Sequence, residues 1–234
     1  MAQTKITPMI KQYLEIKDQY GGYILFYRMG DFYEMFFDDA KVASRELEIT
    51  LTARNKHEAA PVPMCGVPVK AVEGYIGRLI EKGYKVAICD QTEDAAEAKG
   101  LVKRDVVRVV TPGMVLNDSL LDEKTNNFVV ALLFAEKANG IASLDISTGT
   151  FRMAESPKFG TVLEEALRIA PSEIVLPEAA RSHHSYSEVF QSFENTAMTF
   201  LEDSVFNYKP ARSHLIQQFQ TKSLEGFGCE GAVA

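Results

Sequence analysis

Residues 28–37 read Arg28-Met29-Gly30-Asp31-Phe32-Tyr33-Glu34-Met35-Phe36-Phe37, and the architecture turns on how they are taken. Just before them, Tyr23 to Arg28 (YILFYR) is β-branched and aromatic enough for a buried strand, which Gly30 interrupts. Taken by composition alone, Phe32, Phe36 and Phe37 belong in a core and Glu34 in solvent.

Working outward, Thr7 is an N-cap with Pro8 at the first helical position. Met9, Ile10, Tyr13, Leu14 and Lys17 follow at helical spacing, which predicts a helix to about Tyr20 closed by Gly21-Gly22. Asp38 and Asp39 suit a helix N-terminus, and the helix itself is expected over 40–47. Ile49 to Ala53 alternates as a strand should. Residues 54–70 hold Pro61, Pro63 and Pro68 and read as a restricted loop. Val72, Tyr75, Ile76, Leu79 and Ile80 mark another helix, with Gly83 placed to terminate it. Strands at 85–89 and 106–110 complete an α/β domain that ends near Thr111-Pro112-Gly113.

Residues 114–127 are polar and read as connection, with a first domain at 1–115, the linker at 116–127 and a second domain at 128–234. Strand signals at 128–134, 140–145 and 150–153 are separated by Asn139-Gly140 and Ser147-Thr148-Gly149, both hairpin chemistry. A helix at 162–169, a strand at 173–176, a helix at 187–193, a strand at 198–201 and a helix at 212–219 follow. Three meandering strands and then alternating helices and strands is the order of a ribonuclease-H-like domain, an order that other α/β folds share. The run Gly226 to Gly231 comes last, so the second domain is expected to be small or cut within itself.

The chain has 234 residues and a net charge of -7. Residues 1–115 hold 16 basic and 16 acidic side chains and residues 116–234 hold 9 and 16, so the acidity belongs to the second half. A neutral first half can still gather its bases on one face, whereas phosphates would repel the second. Cys65, Cys89 and Cys229 are far apart and lack ligand-spaced histidines, which fits buried free thiols in a reducing compartment. The N-terminus has no apolar signal core and no stretch is long enough for a membrane span, so a cytoplasmic protein without membrane contact is expected.

Gly226 to Gly231 satisfies G-x-G-x-x-G, but without the following helix and acidic residue of a dinucleotide site. Walker A, GxSxG, SxxK and HExxH sequences are absent. His183-His184 reads as surface loop, and no metal site is written. Asp145, at the end of a central strand, is the single candidate for a metal-dependent nuclease, which needs companion carboxylates.

The run GDFYEMFFDDA at 30–40, preceded by Arg28-Met29 and followed by LTAR at 51–54, resembles the mismatch-recognition domain of the bacterial MutS family of DNA mismatch repair proteins. Thr7-Pro8-Met9, Gln12-Tyr13-Leu14, PMCGVP at 63–68, VAICDQ at 86–91, VVTPG at 109–113 and LDISTG at 144–149 extend the resemblance, in the family's order, over nearly the whole chain. It implies a mixed-sheet mismatch-binding domain I and a ribonuclease-H-like connector domain II, truncated before the family's lever, clamp and ATPase domains. It also implies that Phe32 enters the minor groove and stacks on a mispaired base of double-stranded DNA, and that Glu34 hydrogen-bonds that base.

In extended backbone Phe32 and Glu34 point to one side and Tyr33 to the other. Arg54, Lys56 and Lys70 are candidate phosphate contacts beside the wedge, and Met29 and Asp31 adjoin it. The resemblance implies no catalysis and no cofactor in this fragment, with ATP and Mg confined to the full-length family. MutL and the sliding clamp are the implied partners, with a monomeric fragment and a homodimeric full-length protein. The rival expectations are a nuclease using Asp145 and a purely protein-binding module.

Overall fold

A computed structural model of the chain describes residues 7–54, 61–93, 100–114, 126–135 and 138–232. It divides into two compact units, Met1–Pro112 and Gly113–Ala234. The polar segment 115–125, which holds most of the expected linker, lies outside the described residues.

In the first unit, helix α1 (Pro8–Gln19) starts as its capping chemistry predicts, with the Thr7 hydroxyl accepting from the Ile10 N–H at 3.4 Å. Strands β1 (Ile24–Met29) and β2 (Phe32–Phe36) form an antiparallel hairpin whose last pair is Met29 opposite Phe32. Gly30 takes φ +60 in the two-residue turn between them, the first central position where a type II′ turn calls for glycine. Helix α2 (Phe37–Leu47) follows β2 directly, three residues earlier than expected, so Asp38 and Asp39 occupy its first turn. Asp39 accepts from Tyr13 Oη (3.0 Å), the Leu25 N–H (3.0 Å) and Lys17 Nζ (2.8 Å), tying α1 and β1 to the start of α2.

The expected strand at 49–53 is shortened to β3 (Thr52–Arg54), because Glu48 in the left-handed region caps α2 and the Ile49 N–H still bonds to Ser44. The expected loop at 54–70 is corrected more sharply, since 62–68 is strand β4 (Val62–Pro68) between β3 and β2. Its prolines fit because each has a paired neighbour on one side only: Pro63 faces Ala53 of β3, beyond the end of β2, and Pro68 faces Phe32 of β2, beyond β3. Helix α3 (Val72–Glu81) closes at Lys82 with Gly83 at φ +80, and β5 (Val86–Gln91) and β6 (Arg104–Val110) complete a sheet of order β3-β4-β2-β1-β5-β6. Met9, Ile10, Tyr13 and Ile16 of α1 pack with Leu25, Tyr27 and Phe36, while α2 and α3 pack on strands of the same sheet. Burial pushes the Cys65 and Cys89 thiols up to about 12, so both stay protonated.

In the second unit, β7 (Phe128–Phe134), β8 (Asn139–Asp145) and β9 (Thr150–Ser156) form an antiparallel meander. After helix α4 (Phe159–Ile169) come β10 (Glu173–Pro177), helix α5 (Ser187–Ser192), β11 (Ala197–Leu201) and helix α6 (Tyr208–Gln218). The sheet order β11-β10-β7-β8-β9, with β10 and β11 parallel to β7, is the mixed arrangement expected of a ribonuclease-H-like domain. Asn139-Gly140 is not the turn: Asn139 pairs with Phe134 inside β8, and its side-chain amide donates to Ser156 O and Pro157 O. β7 ends at Phe134 and β8 begins at Asn139, and the Ala135 N–H donates to Ala138 O between them; residues 136 and 137 are outside the described residues. Ser147-Thr148-Gly149 does connect β8 to β9, with Gly149 at φ +69.

Candidate nucleic-acid interface

Phe32, Glu34 and Phe36 alternate onto one face of β2, and their burial rises along the strand. Phe36 is covered by Tyr13 of α1, ring edge to face at a centroid distance of 5.0 Å. The cover ends there, leaving Phe32 47% exposed at the hairpin tip with Glu34 half-buried between the two aromatics. The composition-based expectation therefore holds for Phe36, is half met by Phe37, and is overturned for Phe32 and Glu34.

Glu34 stands opposite Gly66 of β4 and Tyr27 of β1. A Cβ at Gly66 would come within 3.2 Å of the Tyr33 carbonyl oxygen and 3.6 Å of Glu34 Cγ, so glycine keeps this side of the carboxylate open. Glu34 Oε2 is fully buried and has no hydrogen-bond partner, and Arg54 Nη1 lies 3.6 Å from it, close enough for attraction but too far for a hydrogen bond. Burial pushes the Glu34 carboxyl above the ordinary glutamate range, and Arg54 offsets this in part.

The opposite side of the hairpin is firmly pinned. Tyr33 is buried and its hydroxyl donates to Asp90 Oδ2 at 2.9 Å, while Arg28 lies over the Tyr33 ring, 3.5 Å from Asp90 Oδ1, and donates to Gly30 O. On the α1 side, Arg104 is buried over the Tyr27 ring and donates to Arg28 O and, at 3.7 Å, to the Met29 sulfur. Asp31 is exposed and its carbonyl accepts from the Val69 N–H at 3.0 Å, which brings the exposed Lys70 beside the hairpin turn. Lys56 lies outside the described residues. Sequence reading did not single out Asp90, Arg104 or Gly66, whose roles arise only from contacts or register between distant strands.

Residues 7–119 match the family model of MutS domain I and residues 127–234 that of MutS domain II. The chain belongs to the MutS family. The DNA mismatch repair protein MutS of Desulfosudis oleivorans is 58% identical over 231 residues, covering 99% of this chain and 26% of that protein. Its counterpart from Desulforapulum autotrophicum is 49% identical over 239 residues, and that from Syntrophomonas wolfei 47% over 225. The chain thus spans about a quarter of the length of these MutS relatives.

In the domain II match, Asp145 is buried, with Oδ1 accepting from the Ser147 N–H (3.0 Å) and hydroxyl (2.6 Å) and Oδ2 without a partner. The Ser147 hydroxyl hydrogen bond, chiefly, holds its carboxyl below the ordinary aspartate range. His183 accepts from the Ser185 N–H, and both histidines of the 183–184 pair are exposed. Among the described residues no three His, Cys, Asp or Glu side chains are grouped to hold a metal, and no helix is long and apolar enough to cross a membrane.

Proposed function

We propose that the first unit recognises mismatched double-stranded DNA, with Phe32 stacking on the mispaired base from the minor groove and Glu34 hydrogen-bonding it. The observation that carries this reading is the pairing, within a MutS domain I, of an exposed phenylalanine at a braced hairpin tip with a carboxylate oxygen that is buried and unsatisfied. Unstacking a base step costs a few kcal/mol and stacking on an aromatic returns about 1–3 kcal/mol per base. For a paired step these terms nearly cancel. A mismatched step is already weakened, so insertion is favoured there and the protein reads deformability more than base identity. Burial of Glu34 favours its protonated form, which can donate to a base acceptor.

Arg54 and Lys70 flank the wedge as phosphate contacts, Lys56 joins them on this reading, and Met29 and Asp31 shape its base. The second unit relays between DNA-binding and ATPase regions of a longer, homodimeric cytoplasmic protein, with MutL and the sliding clamp as partners. The 234 residues serve without catalysis of their own, ATP and Mg belonging to other parts of that protein. A nuclease reading rests on Asp145, whose Oδ1 is engaged by its own turn.

A fluorescence titration of the chain at low salt with matched and mismatched duplexes tests the proposal. Phe32→Ala is expected to remove the preference for the mismatch, a loss of about tenfold or more for a stacking contribution of that size. Retained preference in that variant sinks Phe32 as the wedge.

A further inference from the structure

We propose that Arg54 is the exchangeable counter-ion of Glu34, paired with it in the DNA-free chain and transferred to a backbone phosphate when Phe32 enters a duplex. The inference rests on the mismatch reading above and adds a positioning role to it. β3 sets Arg54 opposite Val62 of β4, and β4 sets Gly66 opposite Glu34 of β2. Residues 62, 64 and 66 alternate onto one face, so Arg54, Glu34 and Phe32 share the face on which α1 packs, with Val62 and Phe36 in the α1 core and Phe32 exposed beyond it.

Three features mark this pair as one that opens. Its 3.6 Å separation gives attraction without a hydrogen bond, so parting the two groups breaks none. The two ends are unequally held, since the Arg54 side chain is 36% exposed and that of Glu34, in mid-strand, 19%. Arg54 also has no other partner among the described residues. The neighbouring arginines are pinned instead: Arg28 by Asp90, Gly30 O and the Tyr33 ring, and Arg104 by Arg28 O, Val102 O, Gln12 and the Tyr27 ring. A phosphate offers Arg54 the bidentate, charge-assisted contact that Glu34 does not give.

The exchange changes Glu34 in turn. The groups facing it are Tyr27 from β1, whose hydroxyl is engaged by Gln12, Gly66 from β4, and Arg54 from β3, the single charge among them. Once Arg54 leaves, burial acts on the carboxyl unopposed and the proton-bearing form, the one able to donate to a base, gains. Phosphate engagement and proton uptake are thereby coupled.

The test compares the wild-type chain with Arg54→Gln and Arg54→Lys. In the DNA-free chain, carboxyl NMR should show the Glu34 titration midpoint raised by Arg54→Gln and restored toward wild type by Arg54→Lys. Adding mismatched duplex should raise the midpoint in wild type. In binding titrations, Arg54→Gln should weaken both duplexes several-fold and lower the slope of log affinity against log salt by about 1, the signature of one phosphate contact. It should also flatten the pH dependence of mismatch preference, which loss of a phosphate contact alone would leave unchanged. An unaltered Glu34 midpoint in Arg54→Gln, or an unaltered salt slope, overturns the exchange. Because the first measurement needs no DNA, failure of the pair is distinguishable from failure of Phe32 as wedge.

Discussion

Glu34 in the first unit and Glu173 in the second both lie on strands interior to a sheet, and they are treated in opposite ways. Glu173 is 2% exposed and both its oxygens are engaged, Oε1 accepting from the Thr199 hydroxyl at 2.5 Å and Oε2 from the Gly113 N–H at 3.1 Å. The fit around it is tight enough that a Cβ on Gly113 would meet Val129 Cγ2 at 2.4 Å and Glu173 Cβ at 2.9 Å. Glu34 keeps one buried oxygen with no hydrogen bond and one distant arginine. A buried carboxylate saturated with donors is held by the fold, whereas Glu34 accepts no hydrogen bond from the described residues and lies beside an exposed aromatic; Asp145 stands between the two, with Oδ1 engaged by its own turn and Oδ2 without a partner.

Three measurements test that contrast, in addition to the Phe32 and Arg54 variants. Glu173→Ala removes the acceptor of two buried donors and is expected to destabilise the second unit by about 2–4 kcal/mol, read as a lowered urea midpoint. Asp145→Ala should cost about 1 kcal/mol, because the turn after β8 loses its acceptor. Asp145 has a lowered folded value, so its contribution is present above the ordinary aspartate range and is lost as pH falls through that value. Glu34→Gln is expected to do the reverse and raise stability at neutral pH by a few tenths of a kcal/mol. The folded value of Glu34 is raised, so its stability contribution is complete below about pH 4.5 and is lost as pH rises through the folded value; the advantage of Gln should vanish in acid. A neutral-pH loss of stability in Glu34→Gln would erase the distinction between the two glutamates.

Much of the fold was legible because its signals are local. Thr7-Pro8 starts α1 and Gly83 ends α3 through capping chemistry contained within a few residues. The strand β4 was not legible, because three prolines in eight residues argue for a loop until the positions of β2 and β3 show that Pro63 and Pro68 each have one paired neighbour. Asn139-Gly140 misled in the same way, since the bonds from Asn139 to Ser156 and Pro157 belong to a strand pairing that no dipeptide encodes. At the candidate site, Phe32 and Glu34 stood out only through family resemblance, composition having placed Phe32 in the core.

By itself, the sequence determined the order of most elements, the α/β class and the family, because periodicity, caps and a long ordered set of motifs are written along the chain. The tertiary structure alone decided that α1 covers Phe36 and stops short of Phe32, and that Glu34 meets Arg54 across β4 while Tyr33 meets Asp90 across β1. Burial and charge pairing are properties of surfaces brought together from residues 20 to 57 positions apart, so no local pattern carries them.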